Sequence, residues 1–383
     1  MQSMTPKQRV RVAMSGGQPD RVPVLPAIWW DLAARVCDVE FADILRRQEL
    51  LATVMPEAGR RLQADGIRLW SRYPARQIEQ HGDDWVEIDT ETGKVLGRVD
   101  HMGYGSLMAA NPDPAVDSYE RMLRFLSRAP LSHEPQIKTY ADLDRLPVPP
   151  VERWIQDMAG VRQVVEQTGE DLFIVGGCAG FTMDALKAYR GGEQCLKDLL
   201  DDPGFAAAIM AKTTAIYLNR ALAYVQAGVD ALYLGDAMAS ASLISPRMFE
   251  RFCLPLYQKV TAAIKPTGVL TYLHICGNST PILEMMADSG VDCIEPLDPL
   301  GGVDVGDAKR RVGKRVALMG GVNTLTLLDG TPEQVMAEAR ECIRKGAEGG
   351  GYILGAGDMV PRFSPFANVR ALARAAVEYG TYL

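Results

Sequence analysis

The chain contains the stretch Val269-Leu270-Thr271-Tyr272-Leu273-His274, an apolar run that is typical of a buried β-strand ending at the histidine. After a short turn, Thr280-Pro281 supplies a helix N-cap followed by proline, ahead of a predicted helix over Ile282–Ser289. The same order of strand, turn and capped helix recurs from residue 229 onward, with further caps at Ser245-Pro246 and Thr331-Pro332. This alternation predicts an α/β fold with a parallel sheet.

Eight strand-like runs predict a (β/α)₈ barrel of the TIM type, preceded by an N-terminal helical extension that Thr5-Pro6 caps. The runs are Val22–Ala27, Gly66–Trp70, Phe173–Gly176, Ala231–Gly235, Val269–His274, Cys293–Pro296, Val316–Gly320 and Tyr352–Gly355. The alternative is a doubly wound open sheet, which the lack of a G-x-G-x-x-G fingerprint after the first run weakens. Short apolar runs also occur in buried helices, so if two of these runs were helical the chain would have too few strands for the barrel.

Residues 74–150 depart from this rhythm and predict an inserted hairpin and loop region over the mouth of the barrel. Within it, Trp85–Asp89 and Lys94–Val99 flank Thr92-Gly93 with the alternating pattern of a β-hairpin. Prolines punctuate the rest of the segment. We therefore expect a single barrel domain over residues 1–383 that carries this insertion.

The bulk composition is that of an ordinary folded protein, with 383 residues of which 47% are hydrophobic and 23% charged. A net charge of −7 without a long basic run argues against a nucleic-acid partner. The start of the chain lacks the apolar core of a secretory signal, and no apolar run reaches membrane-spanning length. Seven scattered cysteines argue against a disulfide framework. These features predict a cytoplasmic protein that binds neither membranes nor nucleic acid.

His274 and Cys276 are the first candidates for chemistry. Alternate residues of an extended segment point to the same side, so the imidazole nitrogen and the thiol sulfur can face one point. This pair of donors suits zinc. Two ligands do not make a site, however, and a buried histidine beside a core cysteine is the alternative interpretation.

Polar residues at the ends of other predicted strands extend this candidate site. The active site of a (β/α)₈ barrel lies at the C-terminal ends of its strands, so these residues would share one rim. They are Asp236, Glu295, Asp298, Asn323 and Asp358. Capping of the following helix is an equally good explanation for any one of the carboxylates.

Asp358 is the third candidate metal ligand. It ends the segment Gly355-Ala356-Gly357-Asp358, whose glycines allow the backbone to run close to a ligand. Imidazole, thiolate and carboxylate together can bind zinc with one position open. Such an ion lowers the pKa of a bound thiol, or acts as a Lewis acid toward an ether oxygen or an amine nitrogen.

Trp29 and Trp30 follow the first predicted strand. Paired aromatic rings at a barrel mouth can pack against a planar ligand, and they can equally cover the end of the barrel. With Trp70 they are candidates for the wall of the cavity, and Asn323 is a further candidate for contact with a cofactor.

Three segments resemble the uroporphyrinogen decarboxylase superfamily, namely Met4–Val24, Gly228–Phe249 and His274–Leu283. The last is similar to the corrinoid-dependent methyltransferase branch, in which a His-x-Cys pair and a later cysteine bind zinc. The resemblance covers nearly the whole chain and is weakest over residues 74–150. It implies an enzyme that moves a methyl group between a small substrate and the cobalt of a corrinoid on a separate protein.

The position that matches the third cysteine of the thiol-methylating members is Asp358. The segment Glu295–Asp298 is more similar to the demethylating members, which take a methyl group from an ether or amine. The resemblance therefore implies a zinc-dependent methyltransferase that works mainly as a demethylase, with His274, Cys276 and Asp358 as metal ligands. Glu295 would be a fourth ligand or a proton handler, and Asp236 would orient the substrate or a metal ligand.

Two other functions stay open. One is a cofactor-free decarboxylase with Asp236 or Asp65 as its polar centre. Uroporphyrinogen decarboxylases carry an arginine-rich segment that holds the substrate carboxylates, whereas the matching segment Pro26–Leu32 contains no arginine. The other function is a non-catalytic barrel that binds a tetrapyrrole or corrinoid.

Overall fold

The computed structural model describes residues 3–71, 77–82, 84–88, 93, 95–99, 106–108 and 135–382. In chain order its strands are β1 (Gly66–Leu69), β2 (Gln77–His81), β3 (Asp84–Ile88), β4 (Val95–Val99), β5 (Ser106–Met108), β6 (Phe173–Ala179), β7 (Ala231–Gly235), β8 (Leu270–His274), β9 (Cys293–Leu297), β10 (Ala317–Val322) and β11 (Tyr352–Ala356). Strands β1 and β6–β11 form one parallel sheet in which neighbours follow one another along the chain. Their C-terminal ends therefore share one rim.

The first predicted strand, Val22–Ala27, is irregular but fills the gap between the two edge strands of the seven-stranded sheet. Val24 forms a parallel bridge with Leu354 of β11, and its carbonyl accepts a hydrogen bond from the Asp65 N–H next to β1. The segment thus joins the two edge strands and closes the barrel. Pairing is limited to single bridges because two residues of the segment have no N–H to donate, Pro23 and Pro26.

Helices surround the barrel and connect its strands. They are α1 (Pro6–Met14), α2 (Trp30–Val36), α3 (Phe41–Arg46), α4 (Leu51–Arg61), α5 (Tyr140–Arg145), α6 (Val151–Ile155), α7 (Ala159–Thr168), α8 (Thr182–Arg190), α9 (Gly192–Asp201), α10 (Pro203–Gln226), α11 (Pro246–Met248), α12 (Leu254–Ile264), α13 (Leu283–Asp288), α14 (Val305–Val312), α15 (Thr324–Asp329), α16 (Pro332–Gly346) and α17 (Phe366–Tyr379). The predicted caps at Thr5 and Thr331 are confirmed as capping boxes. A π-helix over Phe249–Cys253 separates α11 from α12, where Pro255 lacks the N–H of an α-helical hydrogen bond.

The barrel interior is filled by side chains from alternate strand positions, as the two-residue period of extended chain requires. This inner cluster consists of Leu25, Phe173, Val175, Ala231, Tyr233, Tyr272, Cys293, Ala317, Met319 and Ile353. Val10, Ala13 and Met14 of α1 pack against the same cluster, so the predicted N-terminal helix covers the end of the barrel opposite the rim. A larger cluster outside the barrel holds the helices against the strands.

The insertion contains a four-stranded antiparallel sheet in the order β2–β3–β4–β5. Its β3–β4 pair is the predicted hairpin, and Gly93 has φ +70° in the region that favours glycine. Asp89, Thr92 and Lys94 of the predicted hairpin lie outside the described residues. The sheet packs on α3, where the Arg46 guanidinium lies 4.3 Å from the ring centroid of Trp85. Because β1 ends at the rim, the insertion leaves the barrel from its mouth.

No helix in the described part of the chain is both long enough and apolar enough to cross a membrane. All seven cysteines are free thiols. Cys276 and Cys37 are half-buried, and the other cysteines are buried.

Candidate metal centre

Three side chains from two rim loops meet at the mouth of the barrel. His274 is the last residue of β8, Cys276 follows it by two residues, and Asp358 lies two residues beyond β11. One ligand atom from each lies within 4.8 Å of the other two, and His274 Nε2 is 3.7 Å from Asp358 Oδ1. No second group of this kind is found among the described residues. The two rim loops converge as predicted.

One spacing within this group matches that of two ligands on a zinc ion. Bond lengths of about 2.0–2.3 Å around a tetrahedral ion hold neighbouring ligand atoms roughly 3.3–3.8 Å apart. The distance between His274 and Asp358 already lies in this range. The residues present therefore permit a three-ligand zinc site, and their role as ligands stays a prediction.

A glycine turn directs Cys276 into this group. Gly277 has φ +76°, and its N–H donates to Asp298 Oδ2 at 2.9 Å. A Cβ atom at Gly277 would lie 3.1 Å from Ser240 Oγ, so space as well as backbone conformation favours glycine. Asp298, which the sequence identified only as a rim residue, thus fixes the loop that carries the thiol.

The loop that carries Asp358 packs tightly against neighbouring segments of the barrel. Its glycines therefore serve this packing as well as a close approach to a ligand. A Cβ atom at Gly355 would lie 3.0 Å from the Leu25 carbonyl oxygen, and Gly357 N–H donates to the Val322 carbonyl at 2.6 Å. The Asp358 side chain remains 39% exposed at the mouth. Its partial burial raises the pKa of its carboxyl group, although the charge of His274 acts to lower it.

Glu295 lies on the opposite side of the His274 ring. Its carboxylate is hydrogen-bonded to Nδ1, while Nε2 faces Asp358. Burial opposes a charged imidazole, yet the pKa of His274 is raised to about 10. The causes are the charge of Glu295, hydrogen bonds to Cys276 and Glu295, and the charge of Asp358. Burial also opposes the charge of Glu295, yet His274 and Arg68 lower its pKa. Carboxylates in this position orient metal-binding histidines.

Arg68 is a residue of the site that the sequence analysis did not identify. It lies on β1 and is 7% exposed. Its Nε donates to Tyr272 Oη at 3.1 Å, its Nη2 lies 3.8 Å from Glu295 Oε1, and its guanidinium lies 3.7 Å from the Tyr233 ring centroid. The available signal was a charged residue inside a strand of a parallel sheet, where both faces are normally apolar.

The Asp236 side chain faces α8 and does not join the metal group. Its carboxylate accepts hydrogen bonds from Thr182 Oγ1, from Tyr257 Oη and from the N–H groups of Met183 and Asp184. Burial and the charge of Asp184 raise the pKa of Asp236 to about 7, although these hydrogen bonds act to lower it. The side chain therefore anchors the first turn of α8.

The backbone of Asp236 links it to the candidate site. Its N–H donates to the His274 carbonyl at 3.0 Å. Asp184 in turn accepts a hydrogen bond from Ala237 N–H at 3.2 Å, so the carboxylates of Asp236 and Asp184 cap each other's segments. Asp236 thus contacts the candidate ligand His274 through its backbone N–H, whereas its side chain is hydrogen-bonded to α8. Its role in positioning a metal ligand stays a prediction.

Asn323 is the N-cap of α15. Its side-chain oxygen accepts a hydrogen bond from Leu325 N–H at 2.8 Å, and its own N–H donates to Glu338 at 2.7 Å. The capping explanation that applies to rim residues accounts for its position, and its contact with a cofactor stays a prediction.

The two adjacent tryptophans face different surroundings. The Trp29 ring lies 5.4 Å from Trp70, which is 5.7 Å from Tyr233, and Tyr233 is 5.1 Å from the His274 ring. Trp30 packs instead against the large core outside the barrel. Trp29, Trp70 and Tyr233 therefore form a row of aromatic rings that ends at His274, and the contact of Trp29 and Trp30 with a cofactor stays a prediction.

The sequence pattern of the family described as uroporphyrinogen decarboxylase (URO-D) matches residues 123–379. The chain belongs to this family. The matched region includes His274, Cys276 and Asp358, and it confirms the superfamily that the sequence resembled.

Similarity over the full length links this URO-D family member to methyltransferases. It is 27% identical to the methylcobamide:CoM methyltransferase MtaA of Methanosarcina barkeri over 388 residues, which cover 99% of each chain. It is 29% identical to the uroporphyrinogen decarboxylase of Pelodictyon phaeoclathratiforme over 224 residues, which cover 55% of this chain and 60% of the relative. The methyltransferase similarity is the more extensive, in agreement with the predicted branch.

The fold also matches a solved structure. A methyltransferase from Methanosarcina mazei superimposes with a TM-score of 0.72 at 22% sequence identity, covering 98% of this chain and 99% of the other. This likeness confirms the TIM-barrel fold.

Proposed function

We propose that this protein is a zinc-dependent methyltransferase that moves a methyl group between a small methylated substrate and the cobalt of a corrinoid. The observation that carries the proposal is the convergence of His274, Cys276 and Asp358 at the barrel mouth. The full-length similarity to a methylcobamide:CoM methyltransferase supports the same chemistry. A barrel that keeps its reactive groups at the rim suits a substrate held between two proteins.

His274 Nε2, Cys276 Sγ and one oxygen of Asp358 would hold the metal. Zinc at this position would supply Lewis-acid chemistry toward an ether oxygen, an amine nitrogen or a thiol sulfur. Glu295 acts through His274, because its carboxylate is bonded to the ring nitrogen that faces away from Asp358. It therefore holds a proton at Nδ1, and the fourth-ligand alternative is the weaker one. Trp29 and Trp70 would exclude water from one side of the substrate.

We infer that demethylation is the favoured direction. A carboxylate in place of a third thiolate makes the zinc site harder and less electron-rich, which favours activation of an ether or amine leaving group over a thiolate nucleophile. The site retains one sulfur donor, Cys276, so a thiol remains the alternative substrate. The corrinoid would be carried by a separate protein that docks over the rim, where Asp358 is accessible.

The proposal is tested by measuring zinc content together with methyl transfer to reduced cobalamin, supplied free as a surrogate for the partner's corrinoid. A panel of methyl ethers, methylamines and methyl thioethers would serve as donors, and the absorbance of methylcobalamin would report transfer. The purified protein should hold one zinc ion, and a chelator should abolish transfer.

The variants His274→Ala and Cys276→Ala should lose both zinc and activity while remaining folded. Cys37→Ala is the matched control, because Cys37 is also half-buried but lies outside the metal group. Transfer that survives removal of zinc would contradict the proposal.

A cofactor-free decarboxylase is the second candidate, because the partial relative from Pelodictyon phaeoclathratiforme has that name. The segment 26–32 lacks the arginines that would bind a multiply acidic porphyrinogen. Decarboxylation that persists in a zinc-free preparation and in His274→Ala would favour this candidate over methyl transfer.

A further inference from the structure

Arg68 reaches across the interior of the barrel to the back of the metal group. Counting the irregular segment Val22–Ala27 as the first of eight positions, β1 and β9 are separated by three strands on either side and lie diametrically opposite. Arg68 on β1 and Glu295 on β9 nevertheless approach to 3.8 Å between Nη2 and Oε1. A long side chain is needed to span this distance.

The hydrogen bonding of Arg68 differs from that of two other buried arginines, Arg9 and Arg190. Arg9 and Arg190 are both nine-tenths buried, and each guanidinium makes at least three hydrogen bonds with carboxylates and carbonyls. Arg68 makes one, from Nε to Tyr272, and within the described structure its buried Nη1 has no hydrogen-bond partner. A buried group left unsatisfied in this way calls for a physical explanation, and a functional arrangement is one of those known.

Glu295 divides its two oxygens between Arg68 and the candidate metal ligand. Oε2 is bonded to His274 Nδ1, and Oε1 faces Arg68 Nη2. Both Arg68 and Glu295 are almost fully buried, and a buried carboxylate needs a counter-charge to remain in place. Arg68 also lies against the face of Tyr233, which packs on the His274 ring.

We propose that Arg68 is a positioning residue that fixes the Glu295 carboxylate, and through it the orientation of His274 toward the metal. This inference rests on the proposed zinc site and extends it by one further residue. Without Arg68, Oε1 of the buried Glu295 carboxylate would lose its counter-charge, and the contact with His274 alone would fix the orientation of the carboxylate. His274 would then present Nε2 less favourably, because hydrogen-bonded partners of metal-binding histidines set the direction of the ring.

The test compares the zinc affinities of three variants, Arg68→Met, Arg68→Lys and Glu295→Gln. Competition with a chelating dye measures the affinities. The visible spectrum of the Co²⁺-substituted protein is a second readout. Arg68→Met should weaken zinc binding about 10–100-fold and alter the Co²⁺ spectrum. Arg68→Lys retains the charge and should recover much of the affinity. Arg9→Met is the control, because Arg9 is equally buried in an ion-pair network at the other end of the barrel. It should lower the melting temperature and leave zinc affinity unchanged.

A double-mutant cycle keeps the proposal falsifiable if Arg68→Met alone does not fold. The variant Arg68→Met/Glu295→Gln removes both buried charges and should bind zinc as tightly as Glu295→Gln alone, since Arg68 acts through Glu295. Zinc affinity that is unchanged in Arg68→Met or in Glu295→Gln would overturn the inference, as would an additional loss in the double variant. If the unmodified protein binds no zinc, the proposed function itself fails; normal binding with an unaffected Arg68→Met variant overturns only the role of Arg68.

Discussion

The imidazole of His274 presents Nε2 to the Asp358 carboxylate at a distance of 3.7 Å, although the two residues end strands that are not neighbours in the sheet. β8 and β11 are separated by β9 and β10. The contact is possible because both side chains point inward over the mouth, where opposite sides of the barrel approach one another. It joins a borderline nitrogen donor to a hard oxygen donor, and this mixture determines how the site should respond to substitution.

The identity of the third donor can be tested at Asp358. The variant Asp358→Asn removes the charge and should weaken zinc binding by roughly tenfold or more, whereas Asp358→Cys supplies a soft thiolate and should strengthen it. Asp358→Cys should also shift the substrate preference toward thiols. Zinc affinity and transfer rates with ether and thiol substrates are the measurements. Asp171→Asn, which changes an exposed aspartate away from the rim, should leave both unchanged. Equal zinc affinity in all three variants would exclude Asp358 as a ligand.

The metal-free protein should lose stability as the pH rises above neutrality. The folded state holds the His274 proton with a pKa of about 10, above the ordinary value of 6.5. The imidazolium therefore stabilises the fold fully below pH 6.5, and this contribution is lost as the pH rises toward and through 10. Thermal unfolding of the zinc-free protein between pH 6 and 10 measures the effect. His274→Gln should flatten the pH dependence in this window, and an equally steep profile in that variant would assign the effect to other groups.

Local sequence patterns predict the parts of the site that depend on neighbouring residues or on the order of the strands. The two-residue period of the chain at the end of β8 was sufficient to pair His274 with Cys276, and the parallel order of the strands was sufficient to bring Asp358 to the same rim. The role of Arg68 depends on a strand on the far side of the barrel, and no local pattern identifies it. Asp236 and Asn323 occupy the expected rim positions, but Asn323 caps the helix that follows it and Asp236 accepts hydrogen bonds from α8, which follows the neighbouring strand β6.

The structural role of Asp236 predicts a loss of stability without a loss of zinc. Asp236→Asn replaces a carboxylate oxygen with an NH₂ group that cannot accept hydrogen bonds from α8, which should cost about 1–3 kcal/mol of unfolding free energy. Tyr257→Phe removes a single donor to the same carboxylate and should cost less, about 0.5–1.5 kcal/mol. Chemical denaturation measures both values. Zinc content should remain normal in the two variants, and a zinc-free but stable Asp236→Asn protein would instead indicate a direct role at the metal.

Trp29 and Trp30 should respond differently to the same substitution, because the Trp29 ring lies 5.4 Å from the Trp70 ring whereas Trp30 packs against the core outside the barrel. Trp29→Ala removes the outer ring of the aromatic row that runs through Trp70 and Tyr233 to His274, and it should raise the KM for the methyl donor with a small effect on stability. Trp30→Ala removes a half-buried ring that packs against the core and should destabilise the fold by less than the about 3–5 kcal/mol typical of a buried aromatic side chain, with the KM of the folded fraction unchanged. Steady-state kinetics and thermal unfolding of the pair separate the two roles. A change of KM in Trp30→Ala as large as that in Trp29→Ala would show that both rings contact the substrate.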